Sequence, residues 1–203
     1  MDEDGAPPGI FAIAQTTDGY IWLATYTGPV RFDGVRFELL STLTDQKLLS
    51  NAVTALRATD DGGLWIGYQF GGASFWKSGT LRNYSEREGL PSTLVHQFEI
   101  QPDGTVWAAT FRGPAYFDGK KWRLAGKDWN FDGDAARAIL VDREGTLWVV
   151  SPKDSFFLPA GSRTFSKVKL SYSPMMFCLL LGSEPRVWAC HGPGAAGAGA
   201  KPC

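Results

Sequence analysis

The stretch TDGYIWLAT, Thr17 to Thr25, decides the fold because it recurs. DDGGLWIGY ends at Tyr68, PDGTVWAAT at Thr110, REGTLWVVS at Ser151 and SEPRVWACH at His191. The copies align on their tryptophans, Trp22, Trp65, Trp107, Trp148 and Trp188, and each step is only one position shorter than the step before it. A near-constant period of that kind marks a repeat architecture, in which each unit is one supersecondary element that buries its apolar surface against the next.

Each unit reads as four short strands. An apolar run such as Ile10 to Ala14 or Val53 to Leu56 leads into a turn at Asp18-Gly19, Asp61-Gly62, Asp103-Gly104 or Glu144-Gly145. Asp-Gly between two strand patterns predicts a two-residue hairpin turn, since glycine supplies the positive φ such a turn needs. The second strand carries the anchor Trp, with small and large apolar neighbours on both faces, as expected of a strand covered on both sides. Gly28, Gly71 or Gly113, and Asp154 in the fourth unit, open the third strand, and a second turn, RFDG at 31–34 or YFDG at 116–119, precedes the fourth. Four strands in about 42 residues, with one large aromatic at a fixed place, predict an all-β chain of β-propeller blades. The expected blades are 10–40, 52–84, 94–124, 136–170 and a partial fifth at 175–191, between a lead at 1–9 and a low-complexity tail at 192–203. That makes four complete blades and an unfinished one, an incomplete ring. Such an arc is expected to expose an apolar inter-blade face and to self-associate.

Composition agrees and excludes other classes. The 203 residues are 44% hydrophobic and 20% charged, with 8 Trp, 13 Phe and 24 Gly. This is a globular balance rich in the residues of short strands and tight turns, with no helical period. A net charge of −1 leaves no basic field for phosphate backbones, so nucleic acid is not an expected partner. No apolar run reaches membrane-spanning length, and the acidic start lacks the features of a signal peptide.

The units resemble the two-component regulator propeller repeat. Units one and three follow it nearly throughout, with Asp18, Gly19, Trp22, Thr25, Gly28, Phe32, Asp33 and Gly34, and with Asp103, Gly104, Trp107, Thr110, Gly113, Phe117, Asp118 and Gly119. The spacer GLPS at 89–92 also looks like the family's inter-blade connection. Later units depart, with Glu144 for Asp, Ser151 for Thr and Pro185 in the Gly slot. The resemblance implies a periplasmic, ligand-sensing part of a bacterial receptor, whose remaining blades and kinase or cyclase output would be its partners; a homodimer is a further expected partner, from the exposed inter-blade face. It implies a non-catalytic chain. Enzymes such as antibiotic lyases carry similar repeats, so a lyase or glycoside-cleaving propeller is the alternative, and an interaction scaffold a third reading.

Ligands of propellers gather at the mouth built from the second-to-third-strand loops and the crossovers. The expected ligand residues are therefore Tyr26, Tyr68, Gln69, Phe70, Phe111, Arg112 and Trp129. Aromatic faces beside an amide and a cation suit a small molecule or glycan. In the crossover KDWNFDGD, Asp128, Asn130, Asp132 and Gly133 match the first half of a calcium loop, but Ile139 stands where the bidentate Glu belongs. The motif reads first as a solvated acidic turn, with weak calcium binding as the alternative. The recurring Asp18, Asp61, Asp103 and Glu144 read as turn residues, and His96 and His191 as structural, since neither has a triad or metal partner at a telling spacing. Centring the last hairpin like that of the third unit sets Cys178 opposite His191 and Cys190 opposite Leu179, which disfavours a disulfide between them.

Overall fold

The computed structural model describes residues 7–168 and, as backbone strands, 176–181 and 187–191. Four four-stranded antiparallel sheets follow one another in the chain. The first holds β1 (Ala12–Gln15), β2 (Ile21–Thr25), β3 (Gly28–Phe32) and β4 (Phe37–Leu39). The second holds β5 (Val53–Ala58), β6 (Leu64–Tyr68), β7 (Ala73–Lys77) and β8 (Thr80–Tyr84). The third holds β9 (Val95–Ile100), β10 (Val106–Thr110), β11 (Gly113–Phe117) and β12 (Trp122–Leu124). The fourth holds β13 (Ala138–Val141), β14 (Leu147–Val150), β15 (Ser155–Leu158) and β16 (Ser166–Val168). β17 (Met176–Leu181) and β18 (Val187–His191) pair as a fifth, two-stranded sheet. The only helices among the described residues are one short α-helix, α1 (Leu40–Leu43), and two 3₁₀ turns at Glu86–Glu88 and Lys127–Trp129, all in the crossovers. No described helix is long and apolar enough to cross a membrane.

Packing divides the chain into two units, residues 1–98 with 119–122, and residues 99–118 with 123–203. In the first unit, Trp22 and Ala24 of sheet one share a core with Leu56, Leu64 and Ile66 of sheet two. Trp65 then meets Phe98 at 6.0 Å and stands edge-on to Trp122 at 5.2 Å. In the second unit, Trp107 shares a core with Trp129, Ile139, Phe156 and Phe165. Trp22, Trp65 and Trp107 are thus wedged as the repeat predicts, while Trp148 is only half-buried. Trp188 lies outside the residues whose side chains are described.

One register position shows how the sheets stack. Nine positions before each anchor stand Leu56, Phe98 and Ile139, all buried, and each joins the core of the preceding repeat's Trp. The same position in the first sheet is Ile13, which is 65% exposed. Ile10, Phe11 and Tyr26 are exposed too, with Phe11 edge-on to Tyr26 at 4.3 Å.

The Asp-Gly turns are one residue longer than expected. The N–H of Thr16 donates to Tyr20 O at 3.0 Å and that of Gly19 to Thr16 O at 2.9 Å, enclosing the loop 17–19. The same pair of bonds recurs around 60–62, 102–104 and 143–145. Gly19 has φ 89°, whereas Asp18 is not left-handed, so the loop is a type I turn closed by a left-handed Gly rather than a two-residue turn. The extra residue gives the anchor's indole an acceptor. Trp22 donates to Thr16 at 3.1 Å, Trp107 to Gln101 at 2.8 Å and Trp148 to Asp142 at 2.8 Å, always six positions upstream. In the fourth repeat Asp142 also accepts from the N–H groups of Glu144 and Thr146, so the turn carboxylate is Asp142 and not Glu144.

The hydroxyl closing each anchor strand has a comparable task. Thr25 donates to Gly28 O at 2.8 Å, Thr110 to Gly113 O at 2.7 Å and Ser151 to Asp154 O at 3.0 Å, locking the turn into the third strand. In the last hairpin a bulge between Met176 and Cys178 shifts the register by one, so that Cys178 pairs with Cys190 rather than with His191. This corrects the sequence reading, which took the hairpin as unbulged.

Candidate functional site

The second unit contains a cleft of about 540 Å³ lined by Gln101, Asp103, Thr105, Trp107, Tyr116, Asp118, Trp129 and Arg163, among others. Its walls come from repeat chemistry. The β10–β11 register sets Trp107 opposite Tyr116, and their rings lie 5.3 Å apart. Trp129 comes from the 3₁₀ turn of the crossover and meets Tyr116 at 4.8 Å and Trp107 edge-on at 5.6 Å. The crossover is pinned there because Trp129 O accepts from Phe165 N–H at 2.8 Å and the Asn130 side-chain amide donates to Phe165 O at 2.9 Å.

Polar groups rim the aromatic floor. Gln101 spans the core, accepting from Trp107 and donating to Gly145 O at 3.0 Å, which takes it out of ligand chemistry. Asp103 accepts from Thr105 N–H at 2.8 Å, and Asp118 pairs with Arg123 at 2.7 Å. Asp118 also raises the Arg123 pKa, mainly through this hydrogen bond. Arg163 stands with its guanidinium carbon 5.7 Å from the Trp129 ring centre.

The residues expected to bind ligand fall out differently. Tyr26 and Phe70 are exposed at 58% and 65%, Phe111 at 49%, and Arg112 is exposed beside it. Gln69 is half-buried, its backbone N–H donating to Ala52 O. Phe111 is capped by the Arg137 guanidinium at 4.7 Å. Tyr68 is no surface group: it is fully buried, its hydroxyl 2.8 Å from Ser74 Oγ, and desolvation pushes its pKa up. The repeat places a Thr or Ser here. Tyr68 turns its ring into the core instead, and Gly72, with φ 105°, adds a second left-handed residue after Gly71, whose φ of 97° matches the positive φ of Gly28 and Gly113. Trp129 is likewise buried, and the cleft it lines opens at the Asp103-Gly104 turn, the opposite end of the strands from the expected mouth.

The calcium motif is divided among local tasks. Asp128 accepts from Gly126 N–H at 3.1 Å, Asn130 takes a left-handed φ of 59° while holding Phe165, and Asp132 faces Lys167 at 3.6 Å. Lys167 is shared with Asp154 at 2.8 Å, which chiefly raises its pKa. Among the described residues no group of three His, Cys, Asp or Glu side chains is placed to hold a metal ion.

Sequence reasoning missed Tyr116 and Arg163. Tyr116 was legible as the cross-strand partner of the anchor Trp107 across a short hairpin. Arg163 was not, because it sits in the turn 159–165 that replaces Asp-Gly in the fourth repeat.

Comparison with known proteins places these repeats. Residues 4–27 match the model of the family described as two component regulator propeller. That match covers the first repeat, with its anchor Trp22. No curated protein matches it. Among solved structures, the extracellular domain of a hybrid two component system from B. thetaiotaomicron is similar at a TM-score of 0.74 and 17% identity, over 91% of this chain and 27% of its own. That of a one component system from the same organism reaches 0.76 at 18% identity, over 93% and 29%. Virginiamycin B lyase from Staphylococcus aureus reaches 0.71 at 13% identity, over 93% and 64%. At these identities the likeness shows the β-propeller fold alone, shared by extracellular domains and a lyase, and this chain spans less than a third of the first two structures.

Proposed function

We propose that this chain is a ligand-sensing, non-catalytic segment of the extracytoplasmic propeller of a two-component receptor, its cleft at Trp129 receiving a small molecule or glycan. The observation that carries this reading is the two-component regulator propeller repeat, matched at residues 4–27 and continued in phase by every later anchor. The first structural neighbours, extracellular domains of a hybrid and a one component system, support it. Lyase and gluconolactonase neighbours define the competing outcome. A thermal-shift screen of saccharides and small metabolites tests it. A sensor's ligand at a hundred times its Kd stabilises by about 2.7 kcal/mol, or roughly 5–10 °C in a chain of this size, and is recovered unchanged. A ligand consumed during incubation would establish the enzyme reading instead.

As partner for the bare face of the first sheet we propose a further repeat blade, from the receptor or from a second copy. The buried state of Leu56, Phe98 and Ile139 at the register of exposed Ile13 supports this. Ile13→Lys is expected to reduce self-association of the isolated chain in sedimentation experiments. An unchanged sedimentation profile would count against the face.

A further inference from the structure

We propose that the cleft in the second unit binds a carboxylate carried on a six-membered ring, with a face of the ring against Trp129 and Tyr116 and the carboxylate on Arg163. This rests on the ligand-sensing reading and names the chemistry its site selects.

The cleft's size, about 540 Å³, falls within the range of about 300–1,000 Å³ typical of small-molecule sites and far exceeds that of an ion. Three groups in it lack hydrogen-bond partners among the described residues, and each is a donor. Trp129 is 9% exposed, and its indole N–H meets no acceptor there, although an indole can only donate. Trp107, by contrast, has its N–H filled by Gln101. A bound acceptor at this N–H would complete the one hydrogen bond an indole can make. The hydroxyl of half-buried Tyr116 has no hydrogen-bond partner among the described residues either. Arg163 meets no carboxylate among them, although Asp103 and Asp118 line the same cleft. Asp118 is engaged by Arg123, and Asp103 accepts from the Thr105 N–H.

The complement of an aromatic wall with unfilled donors is a ring that brings acceptors. A carboxylate satisfies a guanidinium through two parallel charge-assisted bonds, which no hydroxyl can match. The two aspartates beside it disfavour a polyanion, so one carboxylate per ring is selected. A uronic acid unit and an aromatic acid share this chemistry, and different probes distinguish them.

The test titrates the full chain, followed by Trp fluorescence and calorimetry, with methyl glucuronide and with phenylacetate. Methyl glucoside and phenylacetamide serve as the neutral counterparts. At least one acid is expected to bind with a Kd below about 1 mM, its neutral counterpart binding about tenfold or more weakly. Arg163→Gln, on an exposed turn, is expected to weaken the acid by a similar factor while leaving the melting temperature unchanged. The acid that binds identifies the source as glycan or aromatic. The proposal is overturned if neither acid binds at about 10 mM, if acid and neutral forms bind alike, or if Arg163→Gln binds as the parent does. A different ligand from the thermal-shift screen would then leave the sensing reading standing without this site. An acid that is bound but chemically consumed would uphold the site and remove the sensing reading.

Discussion

Trp107→Ala is expected to lower the unfolding free energy by about 3–5 kcal/mol, the range for truncating a fully buried aromatic. Trp107 is 1% exposed, contacts Tyr116, Trp129 and Phe165, and gives its indole N–H to Gln101. Truncation would leave a cavity at the centre of the second unit's core and strand a buried amide oxygen. Trp148 occupies the same repeat position but is half-buried, and its acceptor, Asp142, is also partly exposed. Trp148→Ala should therefore cost less than half as much. Urea denaturation of the two variants side by side checks the ranking. Equal losses would mean that the anchors act through something other than burial.

Gly89→Ala is expected to cost about 2–5 kcal/mol, the sum of left-handed strain and backbone overpacking. Gly89 caps the 3₁₀ turn at Glu86–Glu88, with φ 86°, and a Cβ there would lie 2.1 Å from the Trp122 carbonyl oxygen. That neighbour is backbone and belongs to the strand whose Trp122 ring packs on Trp65, so it cannot yield without opening the core. Gly19→Ala is the control. Its φ is 89°, nearly the same, but nothing lies within 4 Å of the added Cβ, so only the strain of about 1–2 kcal/mol remains. Thermal or urea unfolding should separate the two. A loss at Gly89 no greater than at Gly19 would show that the close approach to Trp122 is relieved by small shifts.

The glycine pair also marks where reading the chain stops. Both residues stand beside turn signals, both have positive φ, and nothing local tells them apart. Trp122 belongs to the next repeat and is brought against Gly89 only by the stacking of sheets. Tyr68 is a similar case. Its place in the repeat suggested a loop residue facing ligand, but a large ring is more stable in the core than on the surface. The three-residue turns were hidden for another reason. Asp-Gly fits both turn lengths, and the choice falls to the indole, which needs its acceptor six positions upstream.

Local chemistry repeated in phase was enough to settle the strand order, the antiparallel pairing and the burial of the anchors Trp22, Trp65 and Trp107. Each repeat closes its own hairpins between neighbouring strands, so its pattern survives in one dimension. The cleft is assembled from β10, β11, a crossover and the turn before β16, segments drawn from two successive repeats. The donors of the proposed site, Trp129, Tyr116 and Arg163, share no motif. Only packing of one sheet on the next brings them together.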